Sequence, residues 1–422
     1  MGQTLSEPVT TKESASCANS QYAVASSCMQ GWRINMEDAH THQLTTAEDE
    51  SCAFFAVYDG HGGAAVSKYA GIHLHTLIMN QKEYGNGDIP AAIQTGFLAL
   101  DERMREDEQL RDDISGTTAV VVLIKDRTIY CGNVGDSRAV ASVRGVALPL
   151  SFDHKPANEQ EAARIVAAGG WVEFNRVNGN LALSRALGDF VFKRNTQKPA
   201  EQQIVTAFPD VITEVLSPDH EFIVLACDGI WDVMTNQEVV DFVRERLAQK
   251  RDPQSVRVPR LWRIATEMQI CEDLLTRCLA PDCQMGGLGC DNMTVVLVCL
   301  LQGESEDKLA ERCAREPSER RAASSDGTSQ QLDFSTPPGG QSPVDHSSSH
   351  GDDDPPPQDF QVLLIYVRGT LSHDDVQVNV ADDADSTTTL KTDSTIPAAH
   401  SSSTASSGAT NPPSTPTHSV GQ

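Results

Sequence analysis

The chain has 422 residues, a net charge of −26 and 39% apolar residues, enough for a sizeable core. So acidic a balance argues against a nucleic-acid binder, which needs Lys and Arg to displace counterions from phosphates. No apolar run approaches the ~18 residues of a membrane-spanning helix and no signal-peptide core follows the start. The expectation is therefore a protein neither secreted nor transmembrane, with its eleven cysteines as reduced thiols of the cytoplasm, a nuclear location being left open.

In chain order, Met1-Gly2-Gln3-Thr4-Leu5-Ser6 fits the N-myristoylation pattern, which makes Gly2 a candidate for acylation. A single acyl chain gives only weak, reversible membrane association, and Lys12 alone is no polybasic second signal. Residues 1–20 otherwise read as a segment preceding the folded domain. From residue 21 to 301, β-prone runs recur at Tyr22–Ala25, Ala53–Tyr58, Thr117–Ile124, Thr128–Cys131, Arg138–Val143, Phe222–Ala226 and Thr294–Leu301. Short turns such as Lys125-Asp126-Arg127 join several of them, which favours antiparallel hairpins. Helical patterns lie between them at about 63–80, 90–106, 157–168, 236–249 and 263–279. Strands packed on strands with helices outside fit this order.

Residues 302–422 turn to Ser, Thr, Pro and Asp, and carry nearly half of the net charge. Too little apolar surface is available there to offset the ordering entropy, so a largely disordered tail is expected after a short helix at about 305–316. Its one β-prone run, Phe360–Val367, is read as a sticky patch in the tail, with a partner-binding segment or an added strand as alternatives.

Three aspartates stand at the ends of apolar runs: Asp59 and Asp228 after their strands, Asp291 before Met293–Leu301. In an antiparallel system these ends can share one edge. Clustered carboxylates repel, and one takes a proton unless cations neutralise them. With no His or Cys nearby except His61, the ligand set is all oxygen, which suits Mg²⁺ or Mn²⁺ over Zn²⁺. An Asp-Gly pair alone is above all a turn signal. The string Asp59-Gly60-His61-Gly62-Gly63 is expected by chance in a chain this long only on the order of 10⁻⁴.

Further strings appear in the same chain: Gln30-Gly31-Trp32-Arg33, Met36-Glu37-Asp38-Ala39-His40, Ser115-Gly116-Thr117-Thr118-Ala119, Asn133-Val134-Gly135-Asp136-Ser137-Arg138, Leu183-Ser184-Arg185-Ala186-Leu187-Gly188-Asp189, Ala226-Cys227-Asp228-Gly229-Ile230-Trp231-Asp232 and Asp291-Asn292-Met293-Thr294. From Tyr22 to Leu301 the sequence resembles the type-2C, Mg²⁺/Mn²⁺-dependent serine/threonine protein phosphatases. The resemblance implies an α+β fold, a four-layer αββα sandwich of two antiparallel sheets flanked by helices, with a dimetal site at one end. It implies that Asp59 bridges two cations, that the Gly60 carbonyl joins one, and that Asp228 and Asp291 hold the other. Glu37 and Asp38 would hydrogen-bond the waters around them, and Asp136 and Asp232 would join Asp228 at a weaker third cation. Phosphoserine and phosphothreonine proteins would be the substrates, hydrolysed by cation-activated water without a phosphoenzyme. Arg33 would grip phosphate oxygens through its planar fork, and His61 would protonate the departing oxygen.

Blander readings attach to other residues. Arg185 and Asp189 are read as a structural ion pair as readily as site residues, His40, His73 and His75 as surface or helix-packing residues, and Lys250 to Arg263 as a solvated loop. Two rivals to a catalyst remain. A catalytically inactive relative serving as a phosphoprotein-binding module would lack a metal aspartate or Arg33. A metal-dependent nuclease would need a basic groove. A monomer is expected.

Overall fold

The structure is a computed structural model, and it describes residues 4–249, 260–283, 287–316 and 365–367, without side chains at 260–266 and 365–367. Two antiparallel sheets form its centre. The first contains β1 (Thr4–Ala18), β2 (Tyr22–Arg33), β7 (Arg138–Val143), β8 (Val146–Pro149), β10 (His220–Ala226), β11 (Met293–Leu300) and β12 (Ile365–Val367), in the order β8-β7-β10-β11-β2-β1-β12. The second contains β3 (Ala39–Gln43), β4 (Ala53–Tyr58), β5 (Ala119–Lys125), β6 (Thr128–Val134) and β9 (Asp210–Val215), in the order β9-β6-β5-β4-β3.

Strand β4 shows why the expected runs were apolar without alternation. Phe55 and Val57 point into a core with Val120, Val122, Ile223, Leu225 and Val296, drawn from both sheets. Phe54, Ala56 and Tyr58 point the other way, onto α1 (Ala65–Met79) and α2 (Ile89–Glu106) through Ala70, Leu74, Ile93 and Phe97. The other sheet is covered likewise: Phe222, Val224, Val295 and Leu297 pack on Val239 and Val243 of α4 (Asn236–Gln249) and on Leu274 of α5 (Arg260–Cys278). A strand covered on both faces must be apolar at every position. Four layers, helix-sheet-sheet-helix, result, as the resemblance implied. Among the described residues no helix is long and apolar enough to cross a membrane.

Several expectations need correction. Residues 4–18 are not a segment set before the domain but a strand, pairing with β2 from Thr4↔Arg33 to Ala18↔Ala23 through irregularities near Val9. Its polar sequence hid it, because many of its side chains are exposed. Within the Phe360–Val367 run, residues 365–367 pair with Ser14–Ser16 of β1, the added-strand alternative. Cys283 and Cys290 form a disulfide, against the expectation of reduced thiols throughout. Of Lys250 to Arg263, only the last four residues are described, as the start of α5. Gly2 lies outside the described residues.

The folded part also runs past 301. Helix α6 (Glu306–Cys313) buries Leu309 and Cys313 in the cluster that holds α4 and α5. Arg312 donates to the His220 carbonyl at 2.8 Å and to that of Leu300 at 2.7 Å. A chain ending at Glu316 is expected to keep one cooperative melting transition and full hydrolysis of a small aryl phosphate. A chain ending at Ser305 is expected to melt at least ~2 kcal/mol less stably, since losing one buried Leu already costs that much.

Candidate metal centre

Two backbone turns bring the acidic residues together. Strand β4 delivers Asp59 from one sheet, while the end of β10 and the start of β11 deliver Asp228 and Asp291 from the other, paired Ala226↔Val295. Asp59, Asp136 and Asp228 each offer an oxygen within 4.8 Å of the others, and Asp38, Asp59 and Cys227 do the same with a sulfur. Packing this tight leaves no room for larger residues. A Cβ on Gly60 would stand 2.2 Å from the Glu37 carbonyl oxygen, and one on Gly229 would stand 2.1 Å from that of Asn292.

Electrostatics bear the mark of uncompensated charge. Burial, then the charges of Asp228, Asp38 and Asp136, push the Asp59 carboxyl well above its usual range. Burial, then Asp136, Asp291 and Asp232, do the same to Asp228. Asp38 is pushed up to about 7, chiefly by burial and against the Thr294 hydroxyl, which donates to its Oδ2 at 2.7 Å; its Oδ1 is buried without a partner. Asp232 is also raised, by burial first and then by Asp136. Cations would relieve each of these penalties, so the donor set fits the implied metals.

Cys227 was missed as a neighbour of the cluster. Its buried thiol is raised well above normal by desolvation first, then by Asp38 and Asp59, and its sulfur accepts the Thr294 amide at 3.2 Å. Asp291 stands outside both tight groups: Arg33 Nη2 contacts its Oδ2, and the Asn292 amide donates to its Oδ1 at 2.7 Å. Arg33, expected to grip phosphate, is thus engaged with a carboxylate of the cluster. Lys155, likewise missed, contacts Asp136 Oδ2.

His61 sits in a small sheet whose pairs Gly60↔Thr117 and Gly116↔Gly188 join three distant motifs. Its Nε2 lies 2.7 Å from Asp189 Oδ2, with the imidazole 28% exposed and Asp189 nearly buried. Burial opposes the imidazolium, yet the Asp189 carboxylate outweighs it and raises the histidine pKa. A Cβ on Gly116 would fall 2.3 Å from Asp189 Oδ2. Arg185 does not pair with Asp189; it reaches Glu161 Oε1 and Asp210 Oδ1, each at 2.7 Å, a structural role. His73 and His75 lie on α1, with His75 against Phe54. His40 lies in β3.

Glu37 is held by a residue the sequence reading passed over. Asn292 Oδ1 accepts the Glu37 amide at 3.0 Å, and its Nδ2 donates to the Gln30 and Asn35 carbonyls at 2.8 and 2.9 Å. One side chain therefore clamps residues 30–37 to the start of β11. Asn292→Ala is expected to cost ~1–3 kcal/mol in chemical denaturation, from buried groups left unpaired. It should also weaken metal binding ~10–100-fold by calorimetry, the usual loss for an outer partner.

Comparison with known proteins places this geometry in a family. The protein phosphatase 2C family profile matches residues 22–285. A probable protein phosphatase 2C of Caenorhabditis elegans is 72% identical over 315 residues, 75% of this chain and 85% of that one. Protein phosphatase 2C homolog 2 of Schizosaccharomyces pombe is 48% identical over 308 residues, 72% of this chain and 80% of that one. Among solved structures, a phosphatase of a pathogenic strain of Toxoplasma gondii superimposes with a TM-score of 0.54 at 26% identity, over 68% of this chain and 95% of that one. Every aspartate of the metal set and Arg33 are present, so nothing favours the inactive alternative. The chain belongs to the protein phosphatase 2C family and is a metal-dependent serine/threonine protein phosphatase.

Proposed function

We propose that this enzyme hydrolyses phosphoserine and phosphothreonine by direct attack of water, with Asp59, the Gly60 carbonyl, Asp228 and Asp291 holding two cations of the Mg²⁺ or Mn²⁺ class. When bound, the cations would lower the pKa of water and offset phosphoryl charge. Asp136 and Asp232 serve a weaker third site with Asp228, while Glu37 and Asp38 order water beside the cluster. Arg33 binds the phosphate once Asp291 is neutralised otherwise. His61, oriented by Asp189, gives its proton to the departing oxygen. The observation that carries this reading is the convergence of Asp59, Asp136 and Asp228, with the Asp59 and Asp228 carboxyl groups raised by burial first and then by the charges of neighbouring carboxylates.

Around this core we place a myristoylated Gly2 and weak membrane association, and a monomeric cytoplasmic enzyme. Single turnover in ¹⁸O-water, after chelation and re-addition of Mg²⁺ or Mn²⁺ separately, tests the chemistry. One ¹⁸O atom in the released phosphate and no protein-bound phosphate in the acid-quenched enzyme are expected; a phosphorylated enzyme recovered on quenching would overturn direct attack.

A further inference from the structure

The disulfide between Cys283 and Cys290 adjoins the metal centre, since Cys290 is the residue just before Asp291. The pair forms a small apolar cluster with Trp32, and Leu279 and Ala280 pack against it. Trp32 stands between Gly31 and Arg33, and its indole Nε1 donates to the Ala280 carbonyl at 3.0 Å. Gly31, at a φ of +65°, passes so close to the start of β11 that a Cβ there would lie 2.7 Å from the Asp291 carbonyl oxygen. Arg33 in turn contacts the Asp291 carboxylate. Beside the bridge, the Ala280 amide donates to the Gly289 carbonyl at 2.9 Å. The sulfur bridge thus supports two parts of the site at once: Asp291 follows it in the chain, and Trp32, the neighbour of Arg33, is seated on it.

Two features mark this bridge as one that opens and closes. A disulfide in the cytoplasm, where the enzyme is placed above, faces a reducing thiol pool and is usually catalytic or redox-sensing rather than a permanent brace. The bridge also lies just beneath the surface. Cys283 and Cys290 keep 6% and 8% of their surface in solvent, where Cys227 keeps none, and Asp282 and Leu288 close by are exposed. We propose that Cys283 and Cys290 form a reversible redox site that sets the affinity of the enzyme for cation and phosphoprotein: bonded, the pair fixes Asp291 and Arg33, and opened, it loosens both. This rests on the reading of Asp291 as a cation ligand and of Arg33 as the group that binds phosphate.

Opening is thiol–disulfide exchange with an external dithiol. A thiolate of the dithiol attacks one sulfur of the pair, the S–S bond breaks, and the other cysteine leaves with the electron pair and takes up a proton. The second thiol of the dithiol then attacks the mixed disulfide, frees the remaining cysteine as a thiol and closes the reagent into its own disulfide. Two electrons and two protons pass to the enzyme. Glutathione disulfide runs the exchange backwards, forming two molecules of glutathione. A bridge acts by restricting the chain it closes. Once it is open, ordering the chain before Asp291 and beneath Trp32 draws on the free energy of binding, so affinity falls while the chemical step at saturation is kept.

The full-length enzyme, oxidised with glutathione disulfide or reduced with dithiothreitol and then freed of reagent under argon, is compared with the double variant Cys283→Ala/Cys290→Ala. Iodoacetamide labelling with peptide mass mapping reports the state of the pair. The reduced enzyme is expected to bind Mn²⁺ about 10-fold more weakly by calorimetry, the low end of the usual loss when support of a metal ligand is removed. Its KM for a phosphothreonine peptide is expected to rise about 10-fold, with kcat at saturating Mn²⁺ and peptide changed less than about 2-fold. The double variant is expected to match the reduced enzyme after either treatment. Equal Mn²⁺ affinity and KM in the two mapped states would overturn the proposal. So would an oxidised enzyme whose Cys283 and Cys290 both take the label, a double variant that still responds to the reagents, or a change in kcat alone. Asp291→Asn separates the reading beneath: if the oxidised variant binds Mn²⁺ as wild type does, the metal assignment fails and the switch with it. Weakened binding in that variant without a redox response in wild type would overturn the switch alone.

Discussion

Asp228→Asn is expected to lose more than ~10²-fold in kcat/KM on phosphothreonine peptides while its melting temperature in EDTA rises. The loss follows because even outer partners of a metal ligand cost 10–100-fold, and a direct ligand costs more. The gain follows from the sign of the shift. Asp228 has a folded-state pKa well above its ordinary value, so its ionised form is penalised only in the folded chain. Stability is then intact below the unfolded carboxylate pKa of ~3.9 and declines as pH climbs through the raised folded value. At neutral pH without metal, wild type bears a penalty from this raised carboxyl, and an amide removes it. Thermal scans of both proteins from pH 4 to 8 in EDTA, then with Mn²⁺, measure each part. Wild type should gain far more from Mn²⁺ than the variant. A variant that melts lower than wild type in EDTA would show that Asp228 is held by partners rather than strained by neighbours.

His61→Gln is expected to slow phosphothreonine peptides by ~10²–10⁴-fold, the usual contribution of general acid catalysis, and p-nitrophenyl phosphate far less. A threonine alkoxide is a poor leaving group and needs the proton; a nitrophenolate leaves unaided. The raised pKa of His61, secured by Asp189 at 2.7 Å against the opposing effect of burial, keeps the imidazolium available near neutrality. Rates for a series of aryl phosphates of rising leaving-group pKa, with metal saturation checked by titration, give the measurement. Equal slowing across the series would mean that His61 only steadies the Asp59-Gly60 turn.

Much of the centre was legible in the sequence because its constraints are local. Strand β4 is a six-residue apolar run ending in Asp-Gly, and the close approach of the Glu37 carbonyl explains why glycine follows Asp59. Partners chosen by the tertiary fold were not legible. Asp189 meets a histidine 128 positions away, and Arg185, four residues before it, turns instead to Glu161 and Asp210. Asn292 looked like an ordinary neighbour of Asp291, since its clamp depends on where residues 30–37 pass. Strands β1 and β9 escaped notice for one reason: with many side chains in water, they lack the apolar runs that marked the central strands.

Asp59 hangs from one sheet and Asp228 and Asp291 from the other, so a cation shared among them as proposed would be a bolt through two layers as much as a reagent. Binding to the folded form alone adds RT ln(1 + [M]/Kd), about 2.7 kcal/mol at a hundredfold excess over Kd. Cation supply would thereby set how long each molecule survives proteolysis as well as how fast it turns over. A cell short of the metal would lose the enzyme itself, and recovery would wait on new synthesis.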